Sequence, residues 1–184
     1  MKQRYYTSIA TALAFGLLLL AGPGARAQAP AWQSALAVGT ASGSTSDLIT
    51  VAADGSGNVF VAGDFNGTLT LGSTTLASGG VQSTFLAKWS PATSTWLWAL
   101  PVTRTGESFV SKLAVVGNAV YLAGFFSNTV TIGSQTLGSA GATDLYVAKL
   151  TDNGTSGSVN WAQRAGGAGL ELGRSLAVQG SNVY

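Results

Sequence analysis

Two apolar patterns divide this 184-residue chain. Residues 9–21 form one unbroken run of apolar and small side chains. Farther along, segments of four to eight residues rich in Val, Leu, Phe, Tyr and Thr are bounded by Gly, Asn, Ser and Asp. Such segments predict β-strands, and nothing beyond the first run sustains the 3.6-residue period of an amphipathic helix. Asp54-Gly55-Ser56-Gly57-Asn58 predicts a tight hairpin between strands at 48–53 and 59–63, since its glycines supply the positive φ such turns demand. Asp152-Asn153-Gly154 predicts a second turn. Within 120–124 one strand face carries Val120, Leu122 and Gly124, and the other Tyr121 and Ala123; within 145–150 both faces are again mostly apolar. A strand with no consistently polar face needs cover on both sides.

These segments recur in register. Asn58-Val59-Phe60-Val61-Ala62-Gly63-Asp64-Phe65 returns 61 residues later as Ala119-Val120-Tyr121-Leu122-Ala123-Gly124-Phe125-Phe126. At the same shift Thr68-Leu69-Thr70-Leu71-Gly72-Ser73 returns as Thr129-Val130-Thr131-Ile132-Gly133-Ser134, and Thr84-Phe85-Leu86-Ala87-Lys88 as Leu145-Tyr146-Val147-Ala148-Lys149. Trp98-Ala99 returns as Trp161-Ala162 and Leu113-Ala114-Val115 as Leu176-Ala177-Val178, now 63 residues on. The chain therefore holds about two and a half copies of one unit, at 48–109, 110–172 and a partial 173–184. An all-β unit of this period, buried on both faces, is expected to be a β-propeller blade of antiparallel strands, in a partial ring. A parallel β-helix is the alternative, because three coils of about 20 residues give the same period; the hairpin turns favour the blade.

The order Leu-Ala-Val, turn, Asn-Val-Phe/Tyr-Val/Leu-Ala-Gly, Gly-Ser-x-x-Leu, Asp-Leu-Tyr-Val-Ala-Lys-Leu, Trp-Ala resembles the bacterial β-propeller repeat family over nearly all of residues 31–184. The resemblance implies tandem blades in a large secreted or surface protein, which in one bacterial phylum often ends in a type IX secretion sorting domain. It transfers no catalytic residue. Ser83 stands where Asp144 stands in the second copy, Trp89 replaces Leu150, and Asp54 after the first strand has no counterpart in the second copy. Two and a half units do not close a ring of four to eight blades, so the sequence is expected to be the N-terminal part of a longer chain. Trp32, the residue type that opens each unit's last strand, is then expected to complete the final blade.

The first apolar run changes the location and charge of the protein. Lys2 and Arg4 precede it, and Ala25-Arg26-Ala27 follows as a signal-peptidase site, so residues 1–27 are read as a signal peptide cleaved after Ala27. The run is short for a membrane span, which takes about 20 residues. Removing it leaves Lys88, Arg104, Lys112, Lys149, Arg164 and Arg174 against seven acids, so the basic character of the full sequence resides in the leader. Six scattered cations make no basic patch, which excludes a nucleic-acid partner. The protein is expected to be secreted or held at the cell surface, without spanning the membrane after cleavage.

With no His and no Cys, the sequence offers neither a His-based triad nor a disulfide framework. A carboxylate pair is the remaining catalytic option. Asp47, Glu107 and Glu171 hold loosely corresponding places before the Leu-Ala-Val strand, which suggests acceptors of backbone hydrogen bonds. Asp54-x-Ser56-x-Asn58 opens like a calcium loop, but no Glu follows at loop spacing and a turn is the simpler reading. Residues 168–175 imitate a phosphate-binding loop without its first Gly or its Lys. Trp98 and Trp161 recur as core anchors do, whereas Trp89 and Trp96 do not recur. Those two, with Asp64, are the candidate ligand surface, weighed against plain packing between blades. Lys88 and Lys149 are expected to snorkel from a blade edge. No catalytic residue, cofactor or metal site is assigned. The expected function is a binding or adhesion scaffold for an extracellular protein or glycan; the alternative is a polysaccharide-acting hydrolase or lyase on the same scaffold.

Overall fold

The computed structural model describes residues 39–184. The expected signal peptide at 1–27, its cleavage after Ala27 and the strand near Trp32 lie outside the described residues. Among these residues all regular structure is β, as the short apolar segments require. The strands are β1 (Gly39–Thr40), β2 (Thr45–Ala53), β3 (Val59–Asn66), β4 (Thr68–Leu71), β5 (Thr74–Ala77), β6 (Ser83–Ser90), β7 (Thr95–Arg104) and β8 (Ser108–Val116). They continue as β9 (Ala119–Phe126), β10 (Thr129–Ile132), β11 (Gln135–Gly138), β12 (Asp144–Asp152), β13 (Gly157–Ala165), β14 (Val178–Gln179) and β15 (Asn182–Val183). Among the described residues, no helix is long and apolar enough to cross a membrane.

One four-stranded arrangement is built twice: β2-β3-β6-β7 from the first unit and β8-β9-β12-β13 from the second. Every ladder is antiparallel, with one isolated parallel bridge between Thr143 and Leu170. A β-helix needs parallel ladders, so that alternative fails. The turn at 54–58 joins β2 to β3 as expected, although of its two glycines Gly57 alone takes a positive φ, 80°. Residues 153–156 join β12 to β13.

Each unit also inserts a short hairpin after its second strand, β4–β5 or β10–β11. Gly72 and Gly133, at φ 61° and 58°, take the first central position of two-residue turns, as the II′ pattern requires. The β10–β11 hairpin pairs with β7 of the preceding unit and extends the first sheet to six strands, β11-β10-β7-β6-β3-β2. The β4–β5 hairpin pairs with β1 in the corresponding way. Each unit thus hooks onto a strand that precedes it in the chain.

The main core lies between the two sheets. Phe60, Ala62, Leu86, Trp98 and Val102 of the first face Val110, Leu113, Val120, Leu122, Tyr146, Ala148 and Leu150 of the second. The other face of the first sheet buries Val61, Phe65, Phe85 and Ala87 with Leu69, Leu71 and Leu76 of the β4–β5 hairpin. The other face of the second sheet, around Tyr121 and Ala123, receives Leu176, Val178 and Val183. The start of the third unit therefore packs on the second sheet.

The repeated Ala-Gly pair has a local cause. Both β2 and β8 carry a register shift, at Leu48/Thr50 and Val110/Lys112, opposite Gly63 and Gly124. The shift presses a backbone carbonyl onto the glycine: a Cβ on Gly63 would stand 1.9 Å from the Asp47 oxygen. On Gly124 it would stand 2.0 Å from the Phe109 oxygen and 2.7 Å from the Tyr146 ring.

Candidate functional site

The antiparallel layout gathers the β2–β3, β6–β7, β8–β9 and β12–β13 turns at one end of the stack. The last residues of β3, β7 and β9 and the first of β6, β8 and β12 gather at the other. Polar side chains collect between the sheets at each end.

At the turn end, Lys88 is 3% exposed. Its ammonium donates to Asp152 Oδ2 at 2.5 Å, and Trp98 Nε1 donates to Asp152 Oδ1 at 2.9 Å. Lys88 lies 5.2 Å from the Phe60 ring centroid and 3.7 Å from Asp54 Oδ2. It does not snorkel, because an acid of the neighbouring sheet meets it inside. Asp54 folds the 54–58 turn: Ser56 and Asn58 donate their backbone N–H groups to Oδ1, and Asn58 Nδ2 donates to Oδ2. Burial alone would raise the Asp54 pKa, but the donors from Asn58 and Ser56, helped by Lys88, more than offset it and hold the pKa below the ordinary value. The turn accounts for every hydrogen bond of this carboxylate, and Lys88 adds an ion pair from β6.

The strand-terminus end holds a second cluster. Asp64 (4% exposed) points from β3 toward the second sheet and accepts from Thr84 Oγ1 at 2.7 Å. Burial raises its pKa. The Thr84 hydroxyl, the Arg104 guanidinium and the Val110 N–H oppose the rise, and Asp47, directly across the β2–β3 ladder, adds to it. Arg104 on β7 donates to the Ser108 carbonyl, and burial lowers its own pKa. Burial pushes the Tyr146 phenol pKa upward, with Asp64 adding to the effect. Arg104 Nε, Ser108 Oγ and Tyr146 Oη are buried with no partner at hydrogen-bonding geometry. Two clefts meet at Phe109 beside this cluster. One, of about 560 Å³, is lined by Arg104, Glu107, Gln82, Ser127 and Asn128 among others; the other, of about 280 Å³, by Asp64, Ser111, Phe125 and Arg174 among others. Phe109 and Phe125 stack at 5.1 Å between centroids. At the cleft walls the Asp64 carboxylate, the Arg104 guanidinium and the Phe109–Phe125 pair can bind a polar ligand with a flat apolar face.

The candidate residues do not form one site. Trp89 and Trp96 pack edge to face at 5.3 Å across the β6–β7 ladder, near the turn end and away from Asp64. Trp96 also lies against the Val61–Phe85 core and beside Gly72. Asp144, fully buried, accepts from Ala140 N at 2.6 Å and Arg164 at 2.7 Å. Those donors, the Ala140 N–H foremost, lower its pKa. Of Asp47, Glu107 and Glu171, Glu171 accepts a backbone N–H through its side chain, from Gly167 at 3.1 Å, whereas Glu107 uses its backbone carbonyl toward Ser127. Neither Asp54 nor Asp144 lines the cleft that Asp64 lines.

Sequence reasoning missed Arg104, Thr84 and Tyr146. A signal was present: each is a polar group that its counterpart lacks, with Leu145 in place of Thr84 and Phe85 in place of Tyr146, just as Phe125 stands in place of Asp64. A scan against protein-family models, a search of curated proteins and a search of solved structures each return no match.

Proposed function

We propose that this chain is a secreted or cell-surface protein of β-propeller repeats whose stacked blades serve as a binding or adhesion scaffold for an extracellular protein or glycan. The observation that carries the reading is the same antiparallel sheet built twice and stacked face to face, with a non-repeating polar cluster and two clefts at one end of the stack. A recognition surface need not repeat from unit to unit. The leader sequence supports export, and the family resemblance supports the blade arrangement. Sequencing the N-terminus of the exported protein, expected at Gln28, tests the first point.

The contact surface in this reading is the Arg104–Phe109–Asp64 end, and a glycan suits it because sugar hydroxyls pair with carboxylate and guanidinium while the ring face stacks on Phe109. A glycan array probed with the full chain tests this. Binding should occur without release of reducing ends and should weaken about tenfold in Arg104→Gln, as for loss of one charged hydrogen bond. Sugar release abolished by Asp64→Asn would instead establish the hydrolase or lyase alternative. The raised Asp64 pKa suits a general acid, and a glycosidase sets a second carboxylate about 5–10 Å away across the bond it cleaves. Asp54 and Asp144 have structural partners, but Asp47 faces Asp64 across the β2–β3 ladder and Glu107 lines the adjoining cleft. The sugar-release assay therefore decides between the two readings.

A further inference from the structure

The lock at the turn end exists once as a closed contact and a second time half-built. In the first unit Lys88, Trp98 and Phe60 present an ammonium, an indole N–H and an aromatic face to the second sheet, and Asp152 at the end of β12 fills them. In the second unit the same positions are Lys149, Trp161 and Tyr121. Lys149 Nζ sits 5.6 Å from the Tyr121 centroid, closely matching the Lys88–Phe60 distance of 5.2 Å. Lys149 and Trp161 are only half-buried, and among the described residues no acid meets them. In the filled copy the backbone holds the acid as well. Asp152 N donates to the Asn118 carbonyl ahead of β9 at 2.8 Å, and β9 then pairs with β12. The β14–β15 hairpin already lies on the second sheet, and among the described residues β15 pairs with β14 on one edge and with no strand on the other.

We propose that Lys149 and Trp161 form a carboxylate receptor for the acidic end of a strand added beside β15, and that its occupant is a further copy of this same repeat. Charge complementarity and the filled copy one sheet earlier select that occupant. The first sheet of a second chain does not qualify, because Pro91 stands where Asp152 stands and offers no carboxylate. The inference rests on sheet-on-sheet stacking and is independent of the adhesion reading.

The test extends the full chain after Tyr184 with a copy of residues 122–165, which continues the third unit in register because Val183-Tyr184 repeats Val120-Tyr121. A matched extension carries Asp152→Asn within the copied segment only. The proposal expects the acidic form to unfold at higher urea concentration, with a folding equilibrium at least tenfold more favourable, as for a buried pair kept whole. Lys149→Met should erase that difference, and the Trp161 indole resonance should move toward that of Trp98. An extension that adds no β-structure, acidic and amide forms of equal stability, or a difference that survives Lys149→Met overturns it.

Discussion

Asp64 and Asp144 are both buried carboxylates, and their surroundings pull them in opposite directions. Burial dominates at Asp64, with one hydroxyl, one N–H and a guanidinium set against it, so its pKa rises. Folding then favours the protonated acid, and ionising it as pH climbs above about 4 costs stability. Asp64→Asn should gain on the wild type as pH rises from 4 to 7, read from urea unfolding at each pH; a constant difference would contradict this. At Asp144 the donors win, led by the Ala140 N–H and Arg164, and the pKa falls. Its contribution is present above the ordinary Asp value and is lost as pH drops through the lowered one. Asp144→Asn should therefore be less stable than wild type at pH 7, with the gap closing in acid. Gly124 poses a purely steric case. With the Phe109 carbonyl and Tyr146 ring already where a Cβ would go, Gly124→Ala should cost about 3 kcal/mol in chemical unfolding, the upper end for an overpacked site.

Between elements, equivalent residues in the two units meet different surroundings. Val110 and Leu113 on β8 are 4% and 2% exposed against the first sheet, while their counterparts Leu48 and Val51 on β2 are 54% and 64% exposed. Leu113→Ala should cost about 2–5 kcal/mol, and Val51→Ala in the 184-residue chain no more than about 0.5 kcal/mol. Equal costs would mean that the face of β2 is covered. The strands and the turns at 54–58 and 152–154 were legible in the sequence, because local composition and glycine chemistry decide them. The hook of β10 onto β7 was not: Thr129-Val130-Thr131-Ile132 reads as a strand, but its partner is chosen by long-range packing. The burial of Lys88 was hidden for a similar reason, since its partner Asp152 lies 64 residues away. Asp64 was legible as a candidate; the cluster around it became visible only when Arg104, Ser108 and Tyr146 were brought to it from three other strands.

Over the described residues, successive repeats stack sheet on sheet, with hydrophobic faces supplying the area and polar ends fixing the register. Apolar contacts tolerate sliding, whereas the Lys88–Asp152–Trp98 arrangement is satisfied in one position alone. That makes the lock a reporter of stacking, because Lys88 and Asp152 belong to different sheets and meet only if the sheets face each other as described. A double-mutant cycle on Lys88→Met and Asp152→Asn, measured by urea unfolding of the full chain, tests this most directly. Stacked repeats predict single-variant losses that fail to add, with a coupling of about 1–3 kcal/mol. Losses that add to within about 0.5 kcal/mol would show that the two residues do not meet and that the units do not stack in this way.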